Sequence, residues 1–250
     1  MNIWIYAILG VIFSSVFSLF GVLIFLIKKD WLSKIVPYLV SLAAGALFGD
    51  AFIHLIPDSF DSIKDPLVVS LLVLGGIVLF FMLEQFVRWR HCHLPDSENH
   101  THPMVTMNIV GDAIHNFIDG VVIGASFIIA IPIGIATTLA VFLHEIPQEI
   151  GDFGIMLKGG YQIKKAFLVH VLIGLIAIVG TVVVLIIGPI MKGFAENILP
   201  VVAGGFIYVA GSDLVPEIHQ GTDVKISVAI KHLLVLLVGI LLMGLLLIIG

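Results

Sequence analysis

Charge is scarce in this sequence. Only 12% of its 250 residues are Asp, Glu, Lys or Arg, whereas a soluble domain carries about 25%. Hydrophobic residues make up 60% of the chain and the mean hydropathy is +1.18. We therefore expect a polytopic helical membrane protein without a soluble domain.

Cysteine is almost absent. The single thiol, Cys92, excludes an intramolecular disulfide. A metal site in this chain would consequently depend on imidazole and carboxylate ligands, which suit divalent transition metals.

Long apolar runs fill most of the sequence. A membrane span needs about 20 mostly apolar residues, and eight runs meet this length, which predicts an all-α fold in a single transmembrane domain, 1–250. The first run is too long for the apolar part of a signal peptide, so we interpret it as a retained span. The fourth and fifth runs nearly touch, which predicts a tight hairpin around Pro132. The eight predicted spans are 3–27, 35–57, 67–87, 104–130, 131–158, 163–190, 195–214 and 228–249.

Basic residues are distributed unevenly between the loops. Ten of the twelve Lys and Arg residues follow the odd-numbered spans, and only Lys64 and Lys192 lie on the other side. Because basic loops remain in the cytoplasm, we predict that both termini are outside and that the 88–103 loop is cytoplasmic.

Two polar clusters interrupt the fourth and fifth spans near their centres. The first is the sequence HNFIDG at 115–120 and the second is HEIPQE at 144–149. Residues four apart share a helix face, so each cluster can direct several ligands to one side. The candidate metal ligands are His115, Asn116, Asp119, His144, Glu145, Gln148 and Glu149.

Several convergent ligands are needed at this depth. Moving even a unit charge into a dry interior costs on the order of 20 kcal/mol, and a divalent ion costs more. Pro147 removes a backbone donor and leaves the carbonyl of Leu143 free, so we expect it to break the helix, with Gly120 and Gly151 loosening both helices. The alternative is a structural hydrogen-bond network between helices.

Other polar residues lie nearer the span ends. Asp50 and His54 form an i, i+4 pair in the outer half of span two, either an entrance site or a helix-end pair at the headgroups. Glu84 is a weaker candidate, and His170 either completes the midplane ligand shell or bonds a carbonyl. Three polar residues at the inner end of span seven either form an exit site or belong to a solvated helix terminus. They are Asp213, Glu217 and His219.

The predicted cytoplasmic loop is rich in histidine. Short His-rich tracts are typical of metal binding, so this loop either accepts or senses released metal, or is a polar linker. Its histidines are His91, His93, His100 and His102.

The motifs HNFIDG and HEIPQEIGDF, with GDAFIHLIP at 49–57, resemble those of the ZIP (Zrt-/Irt-like) metal transporters. The resemblance covers essentially the whole chain. It implies Zn²⁺ as the transported substrate, or Fe²⁺, Mn²⁺ or Cd²⁺, moved into the cytoplasm through a site built by spans four and five. It implies the same candidate ligands, with Glu149 close to the metal.

The resemblance also sets the expected surroundings of the chain. The expected partners are divalent metal ions and the lipid bilayer, a homodimer stays an open alternative, and no nucleic acid is expected. We expect an integral protein of the cell membrane, plasma or inner, with no catalytic cofactor.

Two other functions are compatible with part of the sequence. His144-Glu145 begins like the H-E-x-x-H motif of zinc hydrolases, but the second histidine is replaced by Gln148 and no other group completes the site. A metal-exporting antiporter could use the same ligands, and only the resemblance favours import.

The first prediction concerns Gln148, where many ZIP members have a second histidine. An imidazole suits zinc better than an amide oxygen does, so Gln148→His should shift transport toward Zn²⁺ over Mn²⁺. Competition between the two ions is measured in both proteins. An unchanged ratio at normal expression would mean that position 148 is not a ligand.

Overall fold

The protein is almost entirely helical in the part that the computed structural model describes, residues 3–27, 29–89, 101–191, 193–218 and 225–249. The all-α prediction is confirmed, and the helices line up as eight long rods. Their bounds are α1 Ile3–Ile27, α2 Lys29–Gly49, α3 Ile56–Ser62, α4 Pro66–Trp89, α5 Thr101–Ile129, α6 Ile131–Lys158, α7 Ile163–Ile187, α8 Phe194–Val209, α9 Val215–Ile218 and α10 Ile226–Ile249, with π-helical segments at Asp50–Leu55 and Ala210–Leu214.

Seven of these rods, within the described residues, are long and apolar enough to cross a membrane. The rod that does not meet this measure is α6, which carries Glu145, Glu149 and Asp152. Polar side chains at membrane depth are tolerated where they face protein rather than lipid. Helix α6 packs against α1, α2, α5 and α7, which agrees with this rule.

The rods form two groups. Helices α1, α5, α6 and α7 pack on one another, whereas α2 packs on α10 and α4 packs on α8. The second group is tied together by its π-helical segments, which contact α2 and α8. The two groups meet where α2 lies against α6 and where α5 lies against α8.

Helices α5 and α6 form the predicted hairpin. Only Ala130, in an extended conformation, separates the end of α5 at Ile129 from the start of α6 at Ile131. The two polar clusters are therefore placed side by side on antiparallel neighbours.

The expected break at Pro147 is wrong, because α6 continues through Pro147 as far as Lys158. A proline removes one helical hydrogen bond, and the packing of α6 against its neighbours compensates for this loss. Gly120 does not loosen α5 either. A Cβ at this position would collide with the backbone of Ala177, so the glycine lets α5 and α7 approach closely.

The irregular helix geometry lies elsewhere. The rod predicted at 35–57 changes to π-helix at Asp50–Leu55, and the rod predicted at 195–214 does so at Ala210–Leu214. In both cases a short α-helix with an early proline follows, at Pro57 and Pro216. Such π-helical turns occur often at functional sites.

Small residues set the spacing of several helix pairs, as is common in membranes. In α4, a Cβ at Gly76 would collide with the backbone of Val201 in α8, whereas nothing lies within 4 Å of a Cβ at the adjacent Gly75. Gly76 therefore fixes how closely α4 and α8 pack.

The second prediction uses this adjacent pair. Gly76→Ala should destabilise the protein by about 1–3 kcal/mol, as overpacking typically does. Gly75→Ala should leave stability unchanged or raise it, because alanine favours the helix. Thermal unfolding of both purified variants in detergent tests this. Equal transitions would contradict the close α4–α8 contact.

Candidate metal centre

Four potential ligands meet between α5 and α6. His115 and Asp119 lie four residues apart on α5, and His144 and Glu145 face them from α6. One nitrogen or oxygen from each of the four lies within 4.8 Å of the others. The structure thus brings together one imidazole and one carboxylate from each helix.

The shortest contacts join three atoms. His144 Nε2 lies 3.1 Å from Asp119 Oδ2 and 3.1 Å from His115 Nε2. His115 Nε2 lies 3.5 Å from the same Asp119 oxygen. Tetrahedral zinc, with bonds of about 2.0–2.2 Å, separates its ligands by about 3.4 Å. These atoms are already close to the spacing that a zinc ion requires.

The backbone orients His144. Its Nδ1 lies 3.2 Å from the carbonyl oxygen of Ala140, and because a carbonyl only accepts, Nδ1 donates. In the neutral ring, Nε2 then presents a lone pair to His115 and Asp119. Metal-binding histidines commonly donate their second ring N–H in this way.

Burial strengthens the need for a cation. Asp119, His144 and Glu145 are each no more than 3% exposed, and Glu145 Oε1 has no hydrogen-bond partner. A buried carboxylate without a partner is costly. Two carboxylates beside two imidazole nitrogens can hold a divalent cation, which would compensate this cost.

The other three candidate ligands have different surroundings. Asn116 is buried and donates a hydrogen bond of 3.0 Å to Asp112 Oδ1. Gln148 is half-buried and lines a cavity beside His115. Glu149 belongs to a different cluster. The seven ligands predicted from sequence are therefore divided among three environments.

That different cluster contains Asp112, Glu149 and His170, which can also direct three ligand atoms within 4.8 Å of one another. Glu149 and His170 are among the residues predicted from the sequence, whereas Asp112 is not. The available signal was its spacing, since Asp112 lies four residues before Asn116 within a span. Asn108 and Asp152 were missed as well, and they share a hydrogen bond of 3.1 Å.

A cavity of about 470 Å³ extends from the four-ligand cluster. It follows the N-terminal half of α5 and the C-terminal half of α6, away from the turn that joins the two helices. Its polar lining includes His115, Gln148, Asp152, Asp213 and Glu217. Glu84 also lines it and accepts a hydrogen bond from Tyr208.

Asp50 and His54 lie on the opposite side, toward the α5–α6 turn. Their side chains are buried and 3.2 Å apart, and Thr137 of α6 donates a hydrogen bond of 3.0 Å to Asp50. Thr137 precedes His144 by seven residues, so this pair lies about 10 Å along α6 from the four-ligand cluster.

Of the remaining predicted histidines, one lies in a described helix. His102 lies in the first turn of α5. The candidates outside the described residues are His91, His93, His100 and His219.

Helical rods with a buried His/carboxylate centre define a polytopic membrane protein equipped to bind metal. The sequence matches the family described as ZIP Zinc transporter over residues 1–105 and 93–247. The chain belongs to this family.

Relatives named as metal transporters support the assignment. The zinc transporter zipt-7.1 of Caenorhabditis briggsae is 28% identical over 96% of this chain and 78% of its own length. The zinc transporter YKE4 of Saccharomyces cerevisiae is 30% identical over 76% of this chain and 63% of its own length. The human metal cation symporter ZIP8 is 28% identical over 90% of this chain and 65% of its own length. The chain therefore covers less than two thirds of the length of YKE4 and of ZIP8.

The third prediction tests the four-ligand centre directly. His144→Ala should weaken Zn²⁺ binding by more than about 100-fold, because even outer-shell changes cost 10–100-fold. Equilibrium binding to the purified protein measures this. His232→Ala is the matched control, since His232 lies 2.7 Å from Ser41 Oγ in another helix pair. Equal losses in both variants would contradict a specific centre at His144.

Proposed function

We propose that this protein carries Zn²⁺ across the membrane into the cytoplasm, with His115, Asp119, His144 and Glu145 as its central ligands. The observation that carries the proposal is the meeting of two imidazoles and two carboxylates, at ligand spacing, inside a helical membrane protein. Membrane-embedded ionisable residues usually mark an ion path.

The path has three stages in this proposal. Asp50 and His54 receive the ion near the α5–α6 turn, the central ligands bind it, and the cavity leads it toward Asp213 and Glu217. Asn116 and Gln148 assist at the centre, Asn116 by orienting Asp112 and Gln148 from the cavity wall. Each stage offers oxygen or nitrogen ligands that replace water as the ion advances.

The basic residues indicate which end of the cavity faces the cytoplasm, and membership of the ZIP family supports the inward direction of transport. The cavity lies toward the start of α5 and the end of α6, next to the predicted cytoplasmic loops that carry Arg88, Lys158 and Lys164. By the positive-inside rule this end faces the cytoplasm. An ion leaving through the cavity therefore enters the cell, and the protein resides in the plasma or inner membrane with its termini outside.

The ligand chemistry favours zinc over harder ions. Imidazole suits zinc and iron, whereas carboxylates and carbonyls suit manganese. Two histidines and two carboxylates form a mixed set, so Fe²⁺, Mn²⁺ and Cd²⁺ are expected to compete. A hydrolase would need a further ligand at position 148, and α6 presents Gln148 there instead. We therefore propose a transporter and not an enzyme.

The fourth prediction is tested in cells that lack their own high-affinity zinc uptake. Expression of the wild-type chain should raise the initial rate of radioactive zinc accumulation several-fold over empty vector. The double variant His115→Ala/His144→Ala should fall to the vector rate at equal surface expression, and His232→Ala should transport normally.

Two outcomes contradict the proposal. Accumulation below the vector rate would identify an exporter. Wild-type rates in the double variant would mean that the ion does not pass through the central ligands.

A further inference from the structure

A second polar cluster lies beside the central ligands and shares none of them. Asp112 of α5, Glu149 of α6 and His170 of α7 are each no more than 4% exposed. His170 Nδ1 lies 2.5 Å from Glu149 Oε2 and 3.8 Å from Asp112 Oδ2. Three helices of one group therefore direct an imidazole and two carboxylates at one point.

Hydrogen bonding alone does not satisfy this cluster. The Nδ1 position of His170 can hold one proton, which the short contact assigns to Glu149. Asp112 Oδ2 is then buried without a hydrogen-bond partner. Fully buried polar atoms of this kind are rare and call for an explanation, such as an ion.

The carboxyl groups of the cluster also favour a bound cation. Asp112 and Glu149 place two carboxyl groups next to each other inside a helical bundle. Within the described residues, Asp112 and Glu149 contact Asn116 and His170, and neither carboxyl forms an ion pair with a Lys or Arg side chain. A divalent cation would neutralise both carboxylates at once.

We propose that Asp112, Glu149 and His170 form a second binding site for a divalent cation of the zinc class. Tetrahedral ligand separations are about 3.4 Å, so the 2.5 Å and 3.8 Å contacts would each change by less than about 1 Å on binding. One nitrogen and two oxygens provide three protein ligands and leave a fourth position for water.

Access to this second site is through the cavity. Asp112 lines the cavity wall together with Asn108 and Asp152. Asn116 holds Asp112 Oδ1 at 3.0 Å, which leaves Oδ2 for the ion. Glu149 and His170 lie behind Asp112, and the ring of Phe153 packs 5.6 Å from the His170 ring. An ion in the cavity can thus reach the site without crossing the central ligands.

The fifth prediction is a change in the number of bound ions. The full chain is purified in lipid nanodiscs, stripped of metal and equilibrated with Zn²⁺, and the bound zinc per chain is counted by mass spectrometry. His170→Ala and Glu149→Gln should each bind one ion fewer than the wild type. His232→Ala, a histidine outside both clusters, should bind the wild-type number.

Glu149→Gln separates a metal site from a structural network. The amide keeps the size of the carboxylate and can still bond His170, but it loses the negative charge that a metal needs. It therefore decides the question even if His170→Ala fails to fold. Wild-type zinc content in a folded Glu149→Gln protein would overturn the second site.

The central ligands are tested in the same experiment. His115→Ala/His144→Ala should retain one bound ion, and adding Glu149→Gln should remove it. If the double variant keeps the full wild-type number, the central site fails while the second site stands or falls on Glu149→Gln alone. If the double variant binds no zinc, the second site is overturned.

Discussion

The structure depends on one constraint, the cost of holding a divalent charge where water is scarce. An ion inside the membrane must exchange its hydration for several protein ligands at once. The meeting of Asp119 with His115 and His144 at 3.1–3.5 Å answers that constraint. The polar helix α6 is packed among its neighbours and supplies half of the ligands from buried positions.

The rest of the fold keeps these ligands in register. A single residue, Ala130, joins α5 to α6. Because each polar cluster is about half a helix away from this turn, the two clusters lie at the same depth. Gly120 allows α7 to approach α5, and Thr181 then donates a hydrogen bond of 2.8 Å to the Gly120 carbonyl. Helix α7 packs along α5, and its His170 contacts Glu149 of α6.

The sequence predicted the features that periodicity and hydropathy encode. The rods, the hairpin at Pro132 and the i, i+4 pairing of His115 with Asp119 follow from spacing along one helix. Features that depend on contact between helices were not accessible. Asp112 gains its partners only when α7 supplies His170, and the continuity of α6 through Pro147 depends on four packed neighbours. The π-helical turns at Asp50–Leu55 and Ala210–Leu214 likewise have no periodic signal.

The most direct test of the central claim is to locate the ion itself. An experimental structure of the zinc-loaded protein, with anomalous scattering recorded at the zinc edge, would do so. Our account predicts a peak about 2.0–2.2 Å from His144 Nε2 and Asp119 Oδ2, between α5 and α6. Strong zinc peaks elsewhere on the protein, with none between these two side chains, would contradict it.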